Sequence, residues 1–224
     1  MIRLGGGVDI GRFLDVLEDE VMNYRVPVVD LIGVQSRDAY RVLIATILSS
    51  RTKDEVTAAA SDRLFQRAPD VRRLAELDES NIRDLIYPVG FYKTKAGHLV
   101  KAAQMLLDRY DGMVPDTIEA LVKLPGVGRK TANLVLAVAF DKPAICVDTH
   151  VHRIMNIWGY VKTETPFETE MALREKLPKK YWKKVNRILV TFGQGTCKPI
   201  APHCDACILE SECARINVVP RKRI

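Results

Sequence analysis

The 224 residues carry 34 Lys and Arg against 28 Asp and Glu, a net charge of +6 that favours a polyanionic partner. No stretch approaches the roughly 20 apolar residues of a membrane span, and the opening MIRLGGGVDIGRF lacks a signal peptide's apolar core, so the expectation is an intracellular protein, cytoplasmic or nucleoid-associated, with no membrane partner. Five cysteines, four of them between 197 and 213, suit a metal site in a reducing compartment better than a disulfide framework, with Cys146 left to pack as a small apolar residue.

Taken in chain order, apolar residues first recur at helical spacing at Ile10, Phe13, Leu14, Leu17 and Val21. VPVVDLIGV at 26–34 is the clearest strand signal, too short and isolated to make a sheet. Helical spacing returns at Leu99, Ala102, Ala103, Leu106 and Leu107, and the whole pattern predicts an all-α protein of about ten helices. Ser36, Asp116 and Asp148 mark helix starts, and Pro69, Pro88, Gly112, Pro115, Pro125, Pro166 and Pro178 mark breaks joined by short connections. ANLVLAVAF at 132–140 is apolar on nearly every face, which predicts a helix enclosed by its neighbours. Nothing of low complexity marks a domain linker. A Gly-bearing turn running into a basic helix start occurs twice, as GFYKTKA at 90–96 and GVGRKTA at 126–132.

The segment LVKLPGVGRKTANL at 121–134 reads as helix, tight turn, helix. Pro125 ends the first helix, Gly126 and Gly128 permit unusual backbone angles, and the second helix begins near Gly128. Bare glycines let a phosphate approach the amides of a helix start, where the helix dipole and the cations of Arg129 and Lys130 favour negative charge. GxG alone more often marks an ordinary connection with a solvated Arg-Lys pair, but the whole string is more specific. LPGVGRKTA resembles the helix-hairpin-helix of base-excision DNA glycosylases, and the continuation to VDTH at 147–150 resembles the endonuclease III family in particular. That resemblance implies an active pair, Lys130 and Asp148. Asp148 is also placed to cap the helix that THVHR begins, and His150 and His152 read as structural or DNA-facing.

Cys197-x6-Cys204-x2-Cys207-x5-Cys213 gathers four thiols within 17 residues, enough for one compact metal centre. The spacing is not that of a zinc ribbon, though alone it leaves zinc open. It is similar to the four-cysteine binding of a 4Fe-4S cluster in the endonuclease III family, and that cofactor is what the resemblance implies. A cluster there would order a cationic loop with Lys198, His203, Arg215 and the tail PRKRI against a phosphate backbone.

An enzyme that swings a base out of a duplex must fill the hole it leaves. The family's gap-filling positions fall on Arg51 in ILSSRTKD and Phe91 in VGFYKTKA, where the family commonly has glutamine and leucine. An aromatic ring can wedge between bases, and an arginine can bond an orphaned guanine in bidentate fashion. Lys93 and Lys95, in the same basic turn, join them as expected DNA contacts. The adenine-mismatch branch of the superfamily has a catalytic glutamate where this chain has Ala45, and that branch and a thymine-mismatch branch typically lack the hairpin lysine, so Lys130 favours a glycosylase that also cleaves abasic sites.

The resemblance runs from about residue 29 to Cys213 and implies two all-α lobes with a DNA groove between them. One is a six-helix barrel at 32–142; the other combines 1–31 with 143–224 and holds the cluster. The implied function is removal of oxidised or otherwise damaged pyrimidines from duplex DNA with associated AP lyase (β-elimination) activity, by a monomer acting on damaged-base or abasic DNA. A thymine or uracil mismatch glycosylase, a non-catalytic helix-hairpin-helix DNA-binding module and an iron-sulfur electron carrier are the alternatives.

Overall fold

A computed structural model describes residues 8–21, 28–36 and 38–219. Among them all regular structure is helical: twelve α-helices and two short 3₁₀ turns, with no strand, as the periodicity predicts. The two helices beyond the expected ten have a simple cause. Val71–Ala75 and Ile118–Leu121 are single turns, too short to show a 3.6-residue repeat. No described helix is long and apolar enough to cross a membrane.

The chain divides into two compact units, one spanning residues 26–144 and the other joining 1–25 to 145–224. The first contains α2 (Val28–Ser36), α3 (Ala39–Ser49), α4 (Asp54–Arg67), α5 (Val71–Ala75), α6 (Glu79–Ile86), α7 (Tyr92–Tyr110), α8 (Ile118–Leu121) and α9 (Arg129–Ala139). At its centre is α3, packed by α2, α4, α7 and α9. Val42, Leu43, Ile44, Ala45, Ile47 and Leu48 are all buried, and each large side chain contributes about 1.5–3 kcal/mol from leaving water. Enclosure on every face therefore belongs to α3. The expected enclosed helix, α9, buries Ala132, Asn133, Val135, Leu136 and Ala137 but leaves Leu134, Val138 and Phe140 only partly covered.

The strand signal at 26–34 is corrected: Val28–Ser36 is helix α2. Val28 and Val29 are buried, and Gly33 lies so close to α9 that an added Cβ would stand 2.2 Å from Val138 Cγ1. Leu31 is exposed on the other side of the helix, and an apolar residue there turns a buried stripe into an unbroken apolar run, which a strand shows as well. Two helix starts also move by one or two residues. Asp38, not Ser36, caps α3 by accepting from Tyr40 N at 2.9 Å, while Ser36 ends α2 and donates to Ile32 O at 2.7 Å. Thr117, not Asp116, caps α8; Asp116 instead pairs with Lys142 Nζ at 2.6 Å.

The second unit comprises α1 (Ile10–Val21), α10 (Thr149–Ile157), α11 (Pro166–Lys176) and α12 (Val185–Gly195), with 3₁₀ turns at Lys179–Tyr181 and Cys204–Ala206. Its core forms around Trp158, which is 1% exposed and meets Phe13 edge to face, ring centroids 5.1 Å apart. Leu14, Leu17, Ile154, Met155, Ile188 and Leu189 close around that pair.

Candidate active site and cysteine-lined cavity

In the hairpin, α8 stops at Leu121, earlier than the Pro125 expected, because a run of turn hydrogen bonds takes over. Lys123 N donates to Ala120 O at 3.2 Å, Leu124 N to Leu121 O at 3.0 Å and Val127 N to Leu124 O at 3.0 Å. Leu121, Leu124 and Val127 are buried and pin the turn to the core. The two glycines do different work. Gly126 has φ +81 and packs against His98, whose Nδ1 would lie 3.0 Å from an added Cβ, so glycine is required internally. Gly128 has nothing within 4 Å of such a Cβ; it is the N-cap of α9 and supplies no capping side chain. The space over the start of α9 is therefore open to an approaching group, and Lys130 is exposed in its first turn beside the half-exposed Arg129.

Across some forty residues of sequence the fold brings Arg51 and Phe91 together. Both are exposed, both are non-glycine residues in the left-handed region (φ 53 and 57), and the Arg51 guanidinium lies 5.4 Å from the centre of the Phe91 ring. Lys93 is exposed in the first turn of α7. Lys95 is not a surface cation, which corrects its expected contact with DNA. It is 7% exposed, and its Nζ donates to Leu48 O at 2.8 Å, Ser50 O at 2.6 Å and Thr52 Oγ1 at 3.3 Å. Burial pushes its amine down to about 8, so the side chain remains an ammonium at neutral pH, with its donors spent inside the protein.

Asp148 is the N-cap of α10, its Oδ1 accepting from His150 N at 2.9 Å and Val151 N at 3.0 Å. The capping role foreseen for it is thus present. Lys130 belongs to the unit at 26–144 and Asp148 to the other. His152 Nδ1 meets Thr169 Oγ1 at 2.7 Å within a network with Asn156 and Thr163, and His150 packs on α12. At that last contact an added Cβ on Gly193 would stand 2.4 Å from His150 Nδ1. Gly193→Ala is accordingly expected to force α10 off α12, costing about 1–3 kcal/mol and lowering Tm by about 2–4 °C per kcal/mol in thermal unfolding.

All four of Cys197, Cys204, Cys207 and Cys213 line one cavity, walled by Trp158, Phe192 and Ile157. Among the described residues no group of three or more His, Cys, Asp or Glu is gathered tightly enough to hold a single metal ion. Three of the four sulfurs have N–H donors beside them. Arg153 of α10 donates to Cys197, the N–H of Leu209 to Cys207 and the N–H of Arg215 to Cys213. Burial pushes the Cys197 thiol up to about 11, and the Arg153 guanidinium works against that rise. Cys207 and Cys213 are raised by burial in the same way.

Sequence reasoning missed Arg153. Its Nη2 also donates to the Cys197 carbonyl, tying the cysteine loop to the helix that Asp148 caps. No spacing rule marks such a residue, since its partner is a backbone oxygen 44 positions away. Of the cations expected around the cysteines, Lys198 is exposed, whereas Arg215 is held within the loop by Glu210 at 3.2 Å. The basic tail at 220–224 lies outside the described residues.

Residues 44–179 match a family described as HhH-GPD superfamily base excision DNA repair protein. Endonuclease III of Thermotoga maritima is 50% identical over 176 residues, covering 79% of this chain and 83% of that protein. The chloroplastic endonuclease III homolog 2 of Arabidopsis thaliana is 49% identical over 185 residues, 78% of this chain but 47% of that protein, so the chain spans about half the length of this relative. A solved structure of a trapped endonuclease III–DNA covalent intermediate aligns with a TM-score of 0.82 at 33% identity, over 92% of this chain and 94% of that one. The chain belongs to the endonuclease III family of helix-hairpin-helix base-excision DNA glycosylases.

Proposed function

We propose that the chain removes oxidised or otherwise damaged pyrimidines from duplex DNA and then cleaves the abasic strand, with Lys130 as nucleophile. The observation that carries this reading is local: an exposed lysine in the first turn of α9, behind a glycine whose surroundings are open. Phosphates flanking the lesion seat at Gly126, Gly128 and Arg129, while Lys93 adds a cation and Arg51 with Phe91 fills the gap. The Lys130 amine attacks C1′ of the flipped nucleotide, the N-glycosidic bond breaks, and the base leaves with a proton. Asp148 accepts the proton given up by the amine, passes it on to the departing base, and stabilises the positive charge that develops on the sugar. The C1′–O4′ bond then opens, O4′ taking up a proton, and leaves a Schiff base that acidifies C2′; loss of the C2′ proton breaks the C3′–O bond, the phosphate departs and the strand is nicked, and water hydrolyses the imine to free Lys130. Solved relatives of this family include DNA complexes, one of them covalent, which supports DNA as the partner.

A 4Fe-4S cluster fits the donor set of the cavity: four thiols, apolar walls, and N–H donors aimed at three of the sulfurs. Cys197, Cys204, Cys207 and Cys213 would hold it. When bound it supplies a polynuclear cross-link and a local positive charge for the thiolates, with no part in base removal. Iron and sulfide analysis of the purified protein tests it.

The enzymatic reading is tested by incubating the protein with duplexes bearing oxidised pyrimidines or an abasic site, with and without borohydride, and separating the products on a denaturing gel. A nicked strand and a reducible covalent adduct are expected. Salt-sensitive DNA binding with neither product would leave only a DNA-binding module, and removal of the base without a nick or an adduct would leave a mismatch-type monofunctional enzyme.

A further inference from the structure

Two turns remote in sequence, 50–52 and 87–92, are stitched together from beneath. Lys95 Nζ reaches up from α7 to Leu48 O, Ser50 O and Thr52 Oγ1, the first two at 2.8 and 2.6 Å. The same Thr52 hydroxyl accepts from Gly90 N at 3.1 Å, and Gly90 sits where any Cβ would be 2.4 Å from the Arg51 carbonyl oxygen. Arg63 of α4 secures the second turn, donating from Nε to Leu85 O at 2.8 Å and from Nη2 to Tyr87 O. On top of this seam stand Arg51 and Phe91, each in the left-handed backbone region. Bulky residues disfavour that conformation, and it persists only where surrounding contacts enforce it. Lys95 is buried, and its ammonium donates only to the end of α3 and the turn that follows it, which makes it the charged side chain that ties α7 to the turn carrying Arg51.

We propose that Lys95 is a positioning residue: its ammonium clamps the two turns so that Arg51 and Phe91 enter a duplex as one stacked unit, which sets both base extrusion and the preference for the opposite base. The proposal rests on the glycosylase reading, with Arg51 and Phe91 as the residues that fill the gap. A loosened clamp lets either turn relax out of its left-handed geometry, so the two side chains arrive separately and the orphaned base is no longer met by a fixed guanidinium. Removing a buried ammonium also takes a donor from the Leu48 carbonyl and leaves Ser50 O with Thr52 Oγ1 alone.

The test uses the whole protein and an uncleavable abasic-analogue duplex with 2-aminopurine opposite the gap. Wild type is expected to unstack the probe and raise its fluorescence. Lys95→Met should bind the duplex with little fluorescence rise, and its excision from duplex DNA should fall on the order of 10²-fold, as for a misplaced positioning group. Cleavage of an abasic site in a single strand, which has no gap to fill, should fall far less, so the duplex-to-single-strand ratio collapses. Thr52→Val keeps the lysine and removes the hydroxyl that accepts from Lys95 and Gly90 and donates to Ser50 O; it should fall between the two, and it serves as the test if Lys95→Met does not fold. Wild-type fluorescence and an unchanged ratio in the folded variants would overturn the clamp. If wild type gives a borohydride adduct but no fluorescence rise, the gap-filling role of Arg51 and Phe91 fails and the clamp with it. Absence of an adduct from wild type sinks the lyase reading instead, independently of the fluorescence.

Discussion

Lys130→Gln is expected to abolish cleavage at abasic sites, by on the order of 10³-fold or more, and to leave no adduct on borohydride reduction. Glutamine retains helix propensity and a polar end at an exposed position of α9, so folding stability should move by less than about 0.5 kcal/mol. The chemical loss is then separable from a structural one. DNA affinity should drop modestly, with the salt dependence reduced by about one phosphate contact, because Lys130 adds one cation to the turn at Gly126–Arg129. Arg129→Ala gives the converse pattern, in which the salt slope flattens while the adduct still forms. Kinetics on an abasic duplex, trapping, and binding at several salt concentrations distinguish the two. A trapped adduct of undiminished yield in Lys130→Gln would move the nucleophile to another amine.

Local motifs were readable because their residues are neighbours in sequence. The hairpin turn, the cap at Asp148 and the cysteine series each lie within one short window, and the fold places them there. What escaped reading is the pairing of distant segments and the conformation of single residues. Nothing in ILSSRTKD or VGFYKTKA announces that Arg51 and Phe91 adopt positive φ, a region bulky side chains rarely enter. Lys95 is a different kind of miss, since a signal was present. Positions 93 and 95 are about 200° apart on a helix, so both cannot face the same partner, and Lys95 extends the buried stripe of Leu99, Ala102, Ala103 and Leu106. The buried stripe, not the charge, decides where Lys95 points. In α2 periodicity is uninformative because the apolar Leu31 lies exposed opposite the buried Val29 and Gly33, and Gly33 marks the close approach to Val138 rather than a turn.

Asp148→Asn and Asp148→Ala should part company, because one side chain serves two purposes. As N-cap, its Oδ1 takes the amides of His150 and Val151; asparagine does this nearly as well, whereas alanine loses about 1 kcal/mol of helix stability. As acid-base group, its second need is a negative charge, which neither variant has. Asp148→Asn is therefore expected to melt near the wild-type temperature yet excise and cleave about 10²–10⁴-fold more slowly. Asp148→Ala should show the same chemical loss with a lowered Tm on top. The Ala variant also bears on the cysteine loop, because α10 carries Arg153, whose guanidinium holds the Cys197 carbonyl. Frayed at its first turn, that helix grips the loop less firmly, and with the proposed cluster in place Asp148→Ala should release iron faster under chelation than Asp148→Asn. Equal melting and equal iron loss in the two variants would show that the cap contributes nothing. Near wild-type excision by the folded Asn variant would remove Asp148 from the chemistry and leave it as a cap alone.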